Sequence, residues 1–352
     1  MNTWFYLSCL LAAVTSLEMN GINFVGMPYT RVHLNDPYAK QALENLATTG
    51  ANWISLPVTF FQDFKNSSLA YKAPHPFMME SGINECSSEK DYAQLIKEAK
   101  ALGIKVMLQF QVQVNMPFWP DSREIGDYWG FYNPYYWFPR YFELISSYVK
   151  TIEEAGVELD LVSIGHNFMA LSYYENHWKN MTLKIRNETK VPLTYSAAFG
   201  DEERKSGFWD HLDYVSVFPK LKSTNQDDLE VELKEFNRAL TYMHKLWKKS
   251  VIVTRVATCS HPNMQITQSD LFRAVHNSVK NLEFVKGVFF GDWAADINYS
   301  NPSDPSYNIQ NKEAQRTVTE LFGGSGEPVD LPSQKPEYRL NCDCFKQVTA
   351  TQ

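Results

Sequence analysis

A chain of 352 residues is long enough to bury one large core or two ordinary ones. Hydrophobic residues at 44% and charged residues at 21% exclude an intrinsically disordered chain. The formal net charge of -7 argues against nucleic acid or an anionic membrane as partner. Aromatic residues reach 14%, a supply that sugar-binding platforms and a large core both draw on.

Residues 4–14 form one apolar run, followed by the small residues Thr15 and Ser16. The run is too short to span a bilayer and reads as a secretory signal over 1–16, which predicts an extracellular protein. No later stretch is apolar enough for a transmembrane segment. A first strand is expected at 21–27, a helix at 36–49 and a second strand at 51–58. A long loop then leads to a helix over 88–102, capped by Ser88 and stopped by Gly103. The third strand is read at 105–112, and an aromatic loop with Trp119 precedes a helix from about 138 to 155. Strand four is expected at 161–168, its helix at 174–189, strand five at 191–196 and strand six at 214–218. A helix over 229–248, strand seven at 250–256, a helix over 269–282, strand eight at 285–293 and a helix over 312–321 complete the series.

Short apolar runs alternating with amphipathic helices are the pattern of parallel strands with crossover helices. No Gly-rich phosphate loop follows strand one, and eight regular units favour closure into a (β/α)8 TIM barrel over an open doubly wound sheet. The expected organisation is one barrel domain over 17–322 and a tail over 323–352 that lacks periodicity.

Removing the signal also removes Cys9 and leaves Cys86, Cys259, Cys342 and Cys344. An even count in an oxidising compartment predicts two disulfides, with three possible connectivities. A bridge between Cys342 and Cys344 would be strained, so the tail is expected to be tied to Cys86 and Cys259. A metal site would need suitably spaced histidines, which are missing beside these cysteines. Asn66, Asn180, Asn187 and Asn298 each begin an N-glycosylation acceptor triplet.

Several local patterns then occur in order. They are Gly50-Ala51-Asn52-Trp53-Ile54-Ser55, Trp137-Phe138 with Tyr141, Ile164-Gly165-His166-Asn167-Phe168, Leu193-Thr194-Tyr195-Ser196, Phe208-Trp209-Asp210 with Leu212-Asp213, and Tyr307 with Lys312 and Ala314. Together they resemble the glycoside hydrolases of clan A, most closely family 113, the mannanase-like barrels. The resemblance implies a cleft at the C-terminal ends of the strands and two carboxyl groups about 5–5.5 Å apart, one acid/base and one nucleophile. It puts the acid/base where this chain has Asn167, the nucleophile where it has Arg255, and a tyrosine where it has Phe218. Shifting the strand-seven alignment recovers no carboxylate, because 251–268 contains no Asp or Glu. Near strand four the nearest acid is Glu175, expected inside a helix.

The remaining candidates carry two readings each. Trp53 serves either as core or as a ligand platform, with core preferred. Trp119 on the third loop is the better platform. His166 could touch ligand or be a satisfied structural histidine. Tyr195 at strand five and Asp292-Trp293 at strand eight join Asn167 and Arg255 as ligand-binding candidates. Arg255 and Asp292 sit on adjacent strands and could pair. The group Lys245, Lys248 and Lys249 is read as a helix C-terminus complementing its dipole. The expectation is a secreted, glycosylated, non-catalytic barrel that binds a glycan or a secreted or cell-surface protein, without cofactor or metal. The alternatives are an active glycosidase with a relocated acid, Asp292 or Asp63, and a structural protein without a small ligand.

Overall fold

The computed structural model describes residues 17–26, 32–64, 67–72, 87–114, 125, 133–221, 223, 225–260, 264–299 and 304–328. The signal segment, Asn66, Cys86, Trp119, Cys342 and Cys344 lie outside the described residues. Eight parallel strands close in chain order: β1 Met19–Val25, β2 Trp53–Gln62, β3 Lys105–Val114, β4 Leu161–His166, β5 Leu193–Ala198, β6 Val215–Phe218, β7 Val251–Val256 and β8 Val285–Ala294. Strand β8 pairs back onto β1. The helices are α1 Pro37–Ala47, α2 Glu89–Ala101, α3 Pro134–Glu154, α4 Glu175–Glu188, α5 Glu202–Lys205, α6 Gln226–Trp247, α7 Gln268–Val279 and α8 Glu313–Phe322. The expected (β/α)8 barrel is therefore present. No helix among the described residues is long and apolar enough to cross a membrane.

Helix starts follow side-chain chemistry. Asp36 accepts the Tyr38 N–H ahead of α1, and reciprocal capping boxes, Ser88 with Asp91 and Thr267 with Asp270, open α2 and α7. Helix α3 starts at Pro134, four residues before the expected 138. Asn133 caps it by accepting the Tyr135 N–H at 3.0 Å, and Pro134 occupies the first turn, where its missing N–H costs nothing. The aromatic run made this stretch read as loop. The single-turn α5 was not expected at all.

The barrel interior is graded. At the N-terminal end Met19, Trp53, Met107, Leu161, Ile252 and Phe289 form an apolar plug. Gly21 is required there, because a Cβ would come within 2.2 Å of the Phe289 ring. Higher up the side chains are polar. Thr194 Oγ1 meets Ser216 Oγ at 2.7 Å, and Ser196 Oγ meets Thr254 Oγ1 at 2.6 Å. Strands β5 and β7 are not neighbours, so the Ser196–Thr254 contact crosses the interior. The barrel is also stitched shut from outside: the N–H groups of Ser325 and Gly326, past the end of α8, donate to the Thr48 carbonyl at 3.0 and 2.9 Å.

Candidate functional site

Three strand tips share one backbone device. Asn167 follows β4 with φ 57°, Arg255 near the end of β7 has φ 45°, and Gly291 on β8 has φ 52°. Strand pairing breaks register between Ser163 and His166, between Val253 and Val256, and opposite β8 between Ile22 and Asn23. A left-handed residue beside a register break re-aims the next side chains, a feature concentrated at barrel rims and sites.

At β4 the corner is held from both sides. The Asn167 N–H donates to the Ser196 carbonyl at 3.0 Å, and the Phe168 N–H donates to the Tyr195 hydroxyl at 2.9 Å. The Asn167 Oδ1 is buried without a hydrogen-bond partner. His166 is buried, contacts Ser196 Oγ at 3.1 Å, and lies 4.6 Å from the Phe218 ring. Burial, reinforced by the Arg255 charge, pulls the His166 imidazole down to about 3, so it is neutral at physiological pH.

Across the barrel Arg255 binds Asp292 at two points, Nε to Oδ1 at 3.3 Å and Nη2 to Oδ2 at 3.0 Å. Its guanidinium also lies 5.5 Å from the Tyr307 ring centre, within cation–π range. Tyr307 belongs to a segment pinned to β8: Asp292 N–H donates to the Tyr307 carbonyl at 3.3 Å, and Ile309 N–H to the Asp292 carbonyl at 2.9 Å. Behind it Lys312 Nζ reaches Asp304 Oδ2 at 3.2 Å and Ser260 Oγ at 2.8 Å, with side chains only 5% and 8% exposed for Lys312 and Asp304.

His166, Asn167, Phe218, Arg255 and Asp292 thus gather at the C-terminal ends of the strands. Three other candidates sit elsewhere. Trp53 opens β2 and fills the plug at the opposite end of the barrel. Trp293 points outward and donates its indole N–H to the Ala42 carbonyl at 3.0 Å. Tyr195 also faces outward, 5.2 Å from both the Trp178 and Phe208 rings, and is fully buried. Of the possible relocated acids, Asp63 accepts the Tyr71 hydroxyl at 2.5 Å and Asp292 is held by Arg255. Glu175 begins α4 and pairs with Lys179 at 2.7 Å. Among the described residues no group of His, Cys, Asp and Glu could hold a metal ion.

Residues 24–312 match the profile of Glycoside Hydrolase Family 113. The chain belongs to that family. A solved complex of a GH113 β-1,4-mannanase is similar, with 17% identity, a TM-score of 0.71, and coverage of 88% of this chain and 99% of that one. The GH113 β-mannanase of Alicyclobacillus acidocaldarius is similar at 18% identity and a TM-score of 0.71, over 88% and 97% of the two chains. Fungal β-1,4-galactanases share the fold at 15% identity and a TM-score of 0.54, over 87% and 99%. Comparison with curated proteins finds no match.

This family 113 chain holds two carboxyl groups that the sequence reading missed, Glu202 and Glu203 on α5. Glu202 is buried, accepts the Ala198 N–H at 2.7 Å and the Tyr195 hydroxyl, and burial pushes it up to about 7. Because Tyr195 in turn holds Phe168, Glu202 supports the Asn167 corner from behind. Glu203 accepts the Gly200 N–H at 3.1 Å and is also raised by burial. Gly200 followed by three acids was a helix-start signal in the sequence.

Proposed function

We propose that this protein is a secreted, non-catalytic family 113 barrel that binds a neutral glycan over its strand tips. The observation that carries the reading is the two-point contact between Arg255 and Asp292. The position of the family's nucleophile, taken from the sequence resemblance, holds a cation, and the adjacent carboxylate is engaged by it. Asn167 occupies the acid/base position, and an amide neither donates nor accepts a proton near neutral pH. A permanent guanidinium opposes the oxocarbenium-like charge of glycoside cleavage.

The same pair favours a neutral ligand, since Arg255 and Asp292 cancel in charge. Family membership supports a glycan, and the similar β-mannanases make β-1,4-mannan the first ligand to test. Secretion is supported by the apolar run at 4–14 and by acceptor triplets at Asn180, Asn187 and Asn298, all exposed. Buried Cys259 is consistent with a disulfide that ties down the tail.

The test incubates the secreted protein with β-1,4-mannan, mannooligosaccharides and aryl β-glycosides, and separately probes a glycan array. The expected result is no hydrolysis above buffer and selective binding of neutral glycans. Turnover abolished by Asp292→Asn or Asp63→Asn would establish the relocated-acid enzyme instead. A blank array would leave the barrel without its glycan.

A further inference from the structure

We propose that the outer face of α6 is a second binding surface, built for an anionic glycan and independent of the strand-tip cleft. Lys234, Asn237, Arg238, Thr241, Tyr242 and Lys245 line one open groove of about 510 Å³ on the helix ring. The cations at 234, 238 and 245 recur at helical spacing, so they share one face over about 16 Å.

The arginine on this face is unusual for the molecule. Arg140, Arg186, Arg204, Arg255, Arg273 and Arg316 each pair with a carboxylate. Arg238 is the one described arginine outside every ion pair, and Lys234 and Lys245 are also outside them. Glu230 lies one turn from Lys234 toward the helix start, a spacing that favours pairing, yet no ion pair forms. A chain of net charge -7 therefore carries, on one helix face, three cations that make no direct ion pair. Lys249, by contrast, donates to the Leu212 carbonyl, and Lys248 is the left-handed cap of α6.

The groove also asks for more than charge. Tyr242 presents an exposed ring within the same groove. Sulfate or carboxylate groups would meet Arg238 and the lysines, and a sugar face would lie on Tyr242. A simple anion or a lipid headgroup supplies only the first of these.

The test uses immobilised heparin as a sulfated polysaccharide, neutral galactomannan as comparator, and phosphatidylserine vesicles as a second polyanion. Intact protein should bind heparin at low ionic strength and release as salt rises. The combined variant Lys234→Ser, Arg238→Ser, Lys245→Ser should lose at least tenfold in affinity, with an unchanged unfolding midpoint. Tyr242→Ala should lose several-fold without any change of charge. Array binding at the cleft should be the same in all these proteins, so failure here is separable from failure there. Absent heparin binding, undiminished binding by the triple variant, or vesicle binding as strong as heparin binding would overturn the proposal.

Discussion

Arg255 at the tip of β7 and Asp292 at the tip of β8 face each other through two hydrogen bonds, with the Tyr307 ring beside the guanidinium. The pair is partly exposed, at 34% and 14% of the side chains, so solvent screens it, but Asp292 is the more buried partner. Arg255→Ala should therefore cost about 1–2 kcal/mol by leaving Asp292 under-solvated. Adding Asp292→Leu should recover part of that loss, giving a coupling of about 1 kcal/mol. Urea unfolding of the four proteins checks both; additive losses would mean the two residues do not support each other.

Restoring catalysis is the converse experiment. Asn167→Glu with Arg255→Glu should be the minimum for any mannanase turnover, and either change alone should give none, because retention needs both carboxyl groups. Measurable activity in one single variant would show that a second acid is already present.

The backbone at Asn167 makes its own demand. With φ at 57°, Asn167→Gly should be nearly neutral, while Asn167→Val should cost about 1–2 kcal/mol. Thermal unfolding distinguishes them, and a tolerated valine would mean that the corner relaxes freely.

Two buried groups set opposed pH dependences. His166 falls to about 3 in the fold, so the unfolded chain binds more protons between there and its ordinary range. Its contribution is complete above the ordinary histidine value and is lost as pH falls toward 3. Glu202 is raised to about 7, so its contribution is complete below the ordinary carboxylate range and is lost as pH rises through 7. Glu202→Gln should flatten the decline in stability between the ordinary carboxylate range and about pH 7. Denaturant titrations at several pH values test this, and an identical slope in the variant would remove Glu202 as its source.

Lys312 supports the site from a distance. Lys312→Met leaves Asp304 buried without its cation and should cost about 3–5 kcal/mol. The Tyr307 segment should loosen with it, seen as faster amide exchange at Ile309, whose N–H is bonded to Asp292. Unchanged exchange at Ile309 would separate the two.

The alternation of apolar runs made the barrel legible, and the adjacency of strands seven and eight made the Arg255–Asp292 contact foreseeable. Parity and height were harder to read. Side chains alternate across a strand, so Asp292 turns to the tip while its neighbour Trp293 turns outward against α1. Trp53 has the right residue type for a platform, but it stands at the start of its strand and so in the plug. The left-handed corners were legible only in part: Asn and Gly favour positive φ, whereas Arg255 carries no such mark in the sequence. Of the basic face of α6 only Lys245 was read, with Lys248 and Lys249, as a dipole complement, since a sequence does not display which cations lack ion-pair partners.

The stitch from Ser325 and Gly326 to Thr48 has a consequence for how the molecule is made. It and the β1–β8 seam join the two extremes of the barrel's chain. As the ribosome releases the polypeptide from its N-terminus, β1 has β2 on one side and nothing on the other until β8 arrives. An unpaired strand edge of this kind is a template for aggregation. Nascent barrel must be shielded for nearly the whole time of synthesis, and truncation before residue 325 would leave the closed ring without its clasp.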